Sequence, residues 1–305
     1  MGKVAFVFAG QGAQYSGMGK DLYENDPSAK AVFDKLDMIR PGTAAQCFTG
    51  ESEELAQTGN TQPCMFAVEL AAADALTDAG ISCDMTAGFS LGEISALAFS
   101  GAVRLEDGFA LACKRGALMQ TESERAPSRM AAVVKLPAEE VEKICAQFEH
   151  VHPVNYNCPG QTSIAALQPE LDDFCKAVKA AGGRAIPLKV RLGFHAPFLS
   201  GVSADFAEVL KGYNIKTPEI ELYSNYTAQP YAGDYADLLA KQVCNPVRWQ
   251  SIVENMIDSG VDTFVELGPG HTLCGLIGKI NSNVRTFHVE DCASLEETVK
   301  GIKAC

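Results

Sequence analysis

Apolar residues first gather in a continuous β-prone run, Val4-Ala-Phe-Val-Phe-Ala9, which ends in Gly10-Gln-Gly12. A short run of this kind reads as a buried strand that leaves its sheet through a tight glycine turn. Apolar positions at helical spacing follow over 26–38 and again over 62–79, the second stretch closing at Gly80. Residues 85–89 form another short apolar strand, Ser90 sits at the turn, and 91–99 read as a helix of small residues closed by Gly101. Strands alternating with helices predict an α/β architecture with a largely parallel sheet.

The middle of the chain changes pattern. Residues 130–135 read as a strand, and Pro137-Ala-Glu-Glu opens a helix reaching about 148, with proline in its favoured first turn. Short strands at 154–156 and 163–167 flank the turn Cys158-Pro-Gly160. A helix over 169–181 ends at Gly182-Gly183, and 185–190 form a last strand. The order β-α-β-β-α-β over 126–192 is that of a ferredoxin-like unit. Because α/β character resumes after it, the unit reads as an insertion at a surface loop. Further on, Asn245-Pro-Val-Arg-Trp249 opens a helix through about 259, 263–267 form a strand, and Gly268-Pro-Gly270 turns into another helix.

The 305 residues suit one large domain or two coupled ones. With 47% hydrophobic and 21% charged residues there is material for a sizeable core, which excludes intrinsic disorder. A net charge of −13 and a pI near 4.9 argue against a nucleic-acid binder. The opening Met-Gly-Lys-Val-Ala-Phe lacks the features of a signal peptide, and Phe6 stands where a myristoylation signal needs Ser or Thr. No apolar run is long enough to span a membrane. The eleven cysteines are scattered, odd in number and never spaced C-x-x-C, so neither a zinc ribbon nor a redox motif is expected. Reduced cysteines, no membrane association and a cytoplasmic location are the expectations.

Gly88-Phe-Ser-Leu-Gly92 fits G-x-S-x-G, the nucleophile elbow, and lies between a predicted strand and a predicted helix. In that setting the Ser90 hydroxyl stands above a helix N-terminus, and the Leu91 backbone N–H can face an oxyanion. A plain turn serine is the competing reading. The expected fold is a large α/β-hydrolase-like parallel-sheet domain, 1–125 and 193–305, carrying an inserted small ferredoxin-like α+β subdomain, 126–192. A serine nucleophile needs a base, and the chain has five histidines. His150 and His152 read as surface residues of the inserted unit, His288 as structural within a late strand, and His271 as a helix cap. His195, in Gly193-Phe-His-Ala-Pro197, lies where the chain returns from the insertion, which suits an active-site loop. By position alone Arg115, on a helix beginning near Asp107, is an ordinary surface arginine.

Longer motifs change that picture. Phe8-Ala-Gly-Gln-Gly-Ala-Gln14, Gly88-Phe-Ser-Leu-Gly-Glu93, Arg115-Gly-Ala-Leu-Met-Gln120 and Asn155-Tyr-Asn-Cys-Pro-Gly-Gln161 occur in order. Phe194-His-Ala-Pro197, Asn245-Pro-Val-Arg-Trp249 and Glu266-Leu-Gly-Pro-Gly270 follow. Together they resemble the malonyl-CoA:acyl carrier protein transacylases of bacterial fatty acid synthesis, over nearly the whole chain. The resemblance implies that Ser90 attacks the thioester of malonyl-CoA with His195 as general base. It places the Gln11 and Leu91 N–H groups in the oxyanion hole, and the Gln242 backbone carbonyl against His195. Arg115 would hold the malonyl carboxylate through paired charge-assisted hydrogen bonds. Met119, Phe89, Phe194 and Asn155 would complete the substrate site. The resemblance implies no metal and no cofactor, since CoA enters as part of a substrate and phosphopantetheine belongs to the partner, acyl carrier protein. It also implies a monomer.

One position departs from the family. Histidine often precedes the nucleophile there, and Phe89 stands in its place, which leaves tolerance for acetyl or methylmalonyl groups open. Both implied partners are anionic, so an acidic enzyme needs a local basic rim to meet them. Arg184, Lys189 and Arg191, with Lys114, Arg125 and Arg129, are the candidates. Competing readings are the same chemistry for a polyketide or malonate decarboxylase carrier protein, an α/β-hydrolase esterase or thioesterase, and a non-catalytic scaffold.

Overall fold

A computed structural model describes residues 2–190 and 192–304. Arg191, one of the candidate rim residues, lies outside the described residues. Among the described residues, nine strands carry the architecture: β1 (Lys3–Phe8), β2 (Met85–Gly88), β3 (Ser128–Val134), β4 (Val151–Cys158), β5 (Gln161–Leu167), β6 (Arg184–Pro187), β7 (Glu221–Leu222), β8 (Val261–Leu267) and β9 (Arg285–Val289). Five of them form one sheet in the order β7-β2-β1-β8-β9, with every pair parallel. The central strand β1 is buried on both faces, as its unbroken apolar run requires: Phe6, Val7 and Phe8 are fully inaccessible.

Register decides where the chemistry can sit. Phe8 lies opposite Gly88 on one side and Leu267 on the other, so β1, β2 and β8 end level with one another. The turn at Gly10-Gln-Gly12, the elbow at Ser90 and the turn at Gly268 therefore leave the sheet side by side. In parallel sheets, ligand sites lie outside the carboxyl ends of such strands. Two long helices, Thr58–Asp78 and Leu105–Arg125, pack against each other over this sheet.

The other four strands form a separate antiparallel sheet in the order β4-β5-β3-β6. With helices Ala138–Cys145 and Gln168–Ala180 this is the ferredoxin-like arrangement. The small sheet has its own apolar core, built from Val133, Val141, Ile144, Ile164, Phe174 and Val178. The final strand is shorter than its apolar pattern suggests and ends at Pro187, which leaves 188–190 free to border the cleft between the sheets. The helix expected from Asn245 begins only at Trp249. Val247 is extended instead, pairing with β4 through Tyr156 N–H to Val247 O at 2.9 Å and Val247 N–H to Val154 O at 2.9 Å. That short bridge ties the small sheet to the segment leading into the helix Trp249–Asp258, which packs on β8 of the large sheet.

Candidate active site

Ser90 follows β2 by two residues and precedes the helix Gly92–Phe99. Its φ is +56°, a left-handed conformation that costs a non-glycine residue on the order of 1–3 kcal/mol. Close approach explains both glycines of the motif. A Cβ on Gly88 would lie 1.8 Å from the Gly92 carbonyl carbon, and one on Gly92 would lie 2.3 Å from Phe8 O. The strained turn is clasped from outside by a residue that the sequence motifs did not point to. Asn225 accepts from the Ser90 N–H at 2.7 Å and donates through Nδ2 to Gly88 O at 2.6 Å.

His195 meets this elbow from a loop whose base is tied to β3 by Gly193 N–H to Ser128 Oγ at 2.8 Å. Its own φ is +62°. Nδ1–H donates to the Gln242 backbone oxygen at 2.8 Å, which leaves Nε2 to accept from the Ser90 hydroxyl at 2.6 Å. That is the geometry of a nucleophile and its general base, with a carbonyl in the orienting position. Burial, and then the charge of Arg115, press the imidazole down to about 3. It is therefore neutral, and able to take a proton, across the physiological range.

Arg115 is not on the surface. It is 1% exposed, inside the helix Leu105–Arg125, and reaches the same point as the dyad. Nη2 donates to Gln242 Oε1 at 2.8 Å and lies 3.3 Å from Ser90 Oγ, while Nε–H has no partner among the described residues. Burial lowers the guanidinium to about 10, against the opposing charge of Glu93. A buried arginine with an unused donor beside a serine nucleophile is a ready seat for a carboxylate.

Comparisons with known sequences and structures show the family. A family model described as an acyl transferase domain matches residues 5–296. The malonyl CoA-acyl carrier protein transacylase of Bacillus subtilis (strain 168) is 35% identical over 311 residues, covering 99% of this chain and 98% of that protein. The chain belongs to the malonyl CoA-acyl carrier protein transacylase family. Among solved structures, the transacylase of Clostridium perfringens aligns with a TM-score of 0.95 at 37% identity, covering 99% of this chain and 98% of that one. A malonyl-transacylase solved with a type II polyketide acyl-carrier protein aligns with a TM-score of 0.94 at 31% identity, covering 98% and 99%.

The remaining site candidates of this acyltransferase are distributed around the dyad. Met119 stands one helical turn after Arg115, fully buried, with its sulfur 3.3 Å from Gln62 Nε2. Phe194, beside His195, is buried in the main core. Phe89 packs edge-on to Trp249, with ring centroids 5.6 Å apart. It also lines a cleft of about 450 Å³ between the two sheets, together with Gln11, Asn155, Gln161 and Lys189. Asn155 is 8% exposed, and its Oδ1 has no partner among the described residues. The Gln11 side chain is drawn aside to Thr58 Oγ1 at 3.3 Å. No hydrogen-bond acceptor engages the Gln11 or Leu91 backbone N–H among the described residues.

Two expectations change. His271 occupies the residue before the helix Thr272–Ile280, but its side chain makes no cap. The buried Glu266 caps that helix instead, accepting from Cys274 N–H at 2.7 Å, and His271 stacks on His288 at 5.5 Å. His150 stays at the surface of the small unit, where Glu170 holds it at 2.8 Å. Of the described basic candidates, Lys189 alone lines the cleft, and Arg125 is already ion-paired with Glu122 at 2.8 Å.

Glu93 closes the site from behind and is fully buried. Burial pushes its carboxyl up to about 7, while hydrogen bonds from Tyr231, Gln242 and Asn225 and the charge of Arg115 hold it down. An acid directly before the mostly apolar stretch Ile94-Ser-Ala-Leu-Ala-Phe99, at the start of a helix, is the sequence signal. Asn225, in an irregular loop, left none.

Proposed function

We propose that this enzyme transfers the malonyl group of malonyl-CoA to the phosphopantetheine thiol of acyl carrier protein, through a malonyl ester on Ser90, supplying fatty acid synthesis. The observation that carries the reading is the distance of 3.3 Å between Arg115 Nη2 and Ser90 Oγ. A malonyl thioester has its carboxylate only one methylene beyond the reacting carbonyl, so a guanidinium beside the nucleophile can hold one end while the other reacts.

Ser90 Oγ attacks the thioester carbon as His195 Nε2 takes the hydroxyl proton. The Gln11 and Leu91 N–H groups receive the oxyanion. The carbon–sulfur bond breaks, and His195 returns the proton to the CoA sulfur. In the second half the pantetheine thiol gives its proton to His195 and attacks the ester, and Ser90 leaves with that proton. The unit 126–192 acts as a subdomain walling the cleft, where the orphaned Asn155 oxygen is a suitable acceptor for a pantetheine amide. No resident cofactor enters this reading, which places the enzyme in the cytoplasm.

The test is an acyl-CoA panel on the wild-type protein with intact-mass and peptide readout. A malonyl adduct on Ser90, discharged to holo carrier protein and not to water, is the expected result. Equal labelling by acetyl-CoA, or discharge mainly to water, would favour an esterase or thioesterase and overturn the reading.

Two further outcomes follow from the same geometry. Sulfonylation of Ser90 by phenylmethanesulfonyl fluoride, a neutral reagent, should hold its rate from pH 8 to pH 6, because His195 is pressed to about 3 and stays unprotonated there. An inflection near the ordinary histidine value of 6.5 that persists in Glu93→Gln, where the carboxyl raised to about 7 is gone, would contradict this. Lys189→Glu should raise the KM for carrier protein by about threefold to tenfold at low salt, and less at high salt. A KM indifferent to both charge and salt would remove Lys189 from the docking path.

A further inference from the structure

Gln242 does four things at once. Its backbone oxygen holds His195 Nδ1–H at 2.8 Å, and its side-chain Oε1 accepts from Arg115 Nη2 at 2.8 Å. Its Nε2 donates to Ser90 O at 2.6 Å and to Glu93 Oε2 at 2.9 Å. The other Glu93 oxygen accepts from the Tyr231 hydroxyl at 2.5 Å and from the Asn225 N–H at 3.2 Å. We propose that Glu93 is a positioning residue for acyl selectivity, which orients the Gln242 amide and thereby aims Arg115 at the substrate carboxylate. The proposal rests on the assignment of Arg115 to that carboxylate.

The argument is one of donors and acceptors. An ionised carboxylate can only accept, and a guanidinium can only donate. Between them the amide has one satisfactory orientation, with Nε2 toward Glu93 and Oε1 toward Arg115. Turning it over would set oxygen against the carboxylate and against Ser90 O, and NH₂ against the guanidinium. In a dry interior such unmade contacts are costly, so the two charges lock the amide. The Arg115 side chain is thereby held with Nη2 occupied and Nε–H unspent. Glu93 itself is anchored by the same loop that clasps the elbow, since Asn225 supplies both contacts.

Glu93→Gln has nearly the same shape but cannot satisfy this network. If its new NH₂ faces Asn225, two donors meet. If it faces Gln242, that amide must turn and present its own NH₂ to Arg115. At pH 8, where Glu93 is ionised, E93Q should raise the KM for malonyl-CoA and lower the malonyl-over-acetyl ratio of kcat/KM. The size expected from one lost hydrogen bond to a charged group is about tenfold to a hundredfold. Acetyl transfer should fall far less. In an Arg115→Ala background E93Q should change the ratio no further, because the two act in series. Tyr231→Phe, which leaves the carboxylate and its tie to Gln242 in place, should lower the ratio in the same direction by about threefold, within the range for a single neutral hydrogen bond.

Equal losses in malonyl and acetyl transfer in both single variants would overturn the proposal, as Glu93 would then merely support the fold. So would an additive effect of E93Q on the ratio in the Arg115→Ala background. A wild type without malonyl preference would overturn the Arg115 assignment together with the proposal. A wild type with the preference and an E93Q variant that keeps it would overturn the proposal alone.

Discussion

Ser90→Ala and His195→Ala should each lower malonyl transfer by about ten-thousand-fold or more, and the double variant should fall no further. The two side chains form one device, joined at 2.6 Å. Without the hydroxyl there is no atom to acylate. Without the imidazole a serine hydroxyl, barely ionised at neutral pH, has no acceptor for its proton. What survives either change is the binding cleft and the amides near Gln11 and Leu91, which act on a transition state that no longer forms efficiently. Intact-mass labelling with malonyl-CoA separates the steps: Ser90→Ala should show no adduct, and His195→Ala a very slow one. Losses that multiply in the double variant would mean that the two residues act independently, and would break the assignment of base to nucleophile.

Arg115→Ala should lower kcat/KM for malonyl-CoA by about a hundredfold to ten-thousand-fold, the range for two hydrogen bonds to a charged group. Acetyl-CoA should lose little, so the preference between them collapses or inverts. The proposed cause of such a preference is the state of the guanidinium when no carboxylate arrives. Arg115 is buried, its Nε–H has no partner among the described residues, and the opposite charge of Glu93 stands behind Gln242. An acetyl group leaves that donor unsatisfied, whereas a malonyl carboxylate satisfies it. The variant should also lose stability, by about 1–3 kcal/mol, because Gln242 Oε1 is left without its donor. A variant that binds malonyl-CoA as well as before would remove Arg115 from the substrate site. Lysine at this position should restore charge without restoring the paired contact, and so recover only part of the preference.

The elbow was legible because everything it needs is local. A buried strand, two glycines and a helix lie within Met85–Gly88 and Gly92–Phe99, and the strain at Ser90 follows from that spacing. The ferredoxin-like unit was legible for the same reason, since its strand and helix periodicities change within short windows. The helix start at Trp249 was misjudged because Val247 is recruited by β4, a partner 93 residues earlier in the chain at Val154 (247 − 154). Arg115 read as a surface residue because helical pattern says which face is polar and says nothing of what that face meets.

Most strands, the inserted unit and the elbow that strains Ser90 follow from the amino-acid order alone, since backbone propensity and apolar period act between near neighbours, whereas the two-residue strand Glu221–Leu222 left no such pattern. The ordered motifs also pointed to the family before any fold was drawn. The motifs already implied His195 and Arg115 by resemblance, whereas folding alone brings both to Ser90 and makes Glu93, Asn225 and the Gln242 side chain one support behind them. The contacts of Ser90 with His195 and with Gln242 join residues 105 and 152 positions apart. Their partners are chosen by closure of the sheet and by the need to satisfy every buried donor and acceptor, a condition that exists only once the chain has folded.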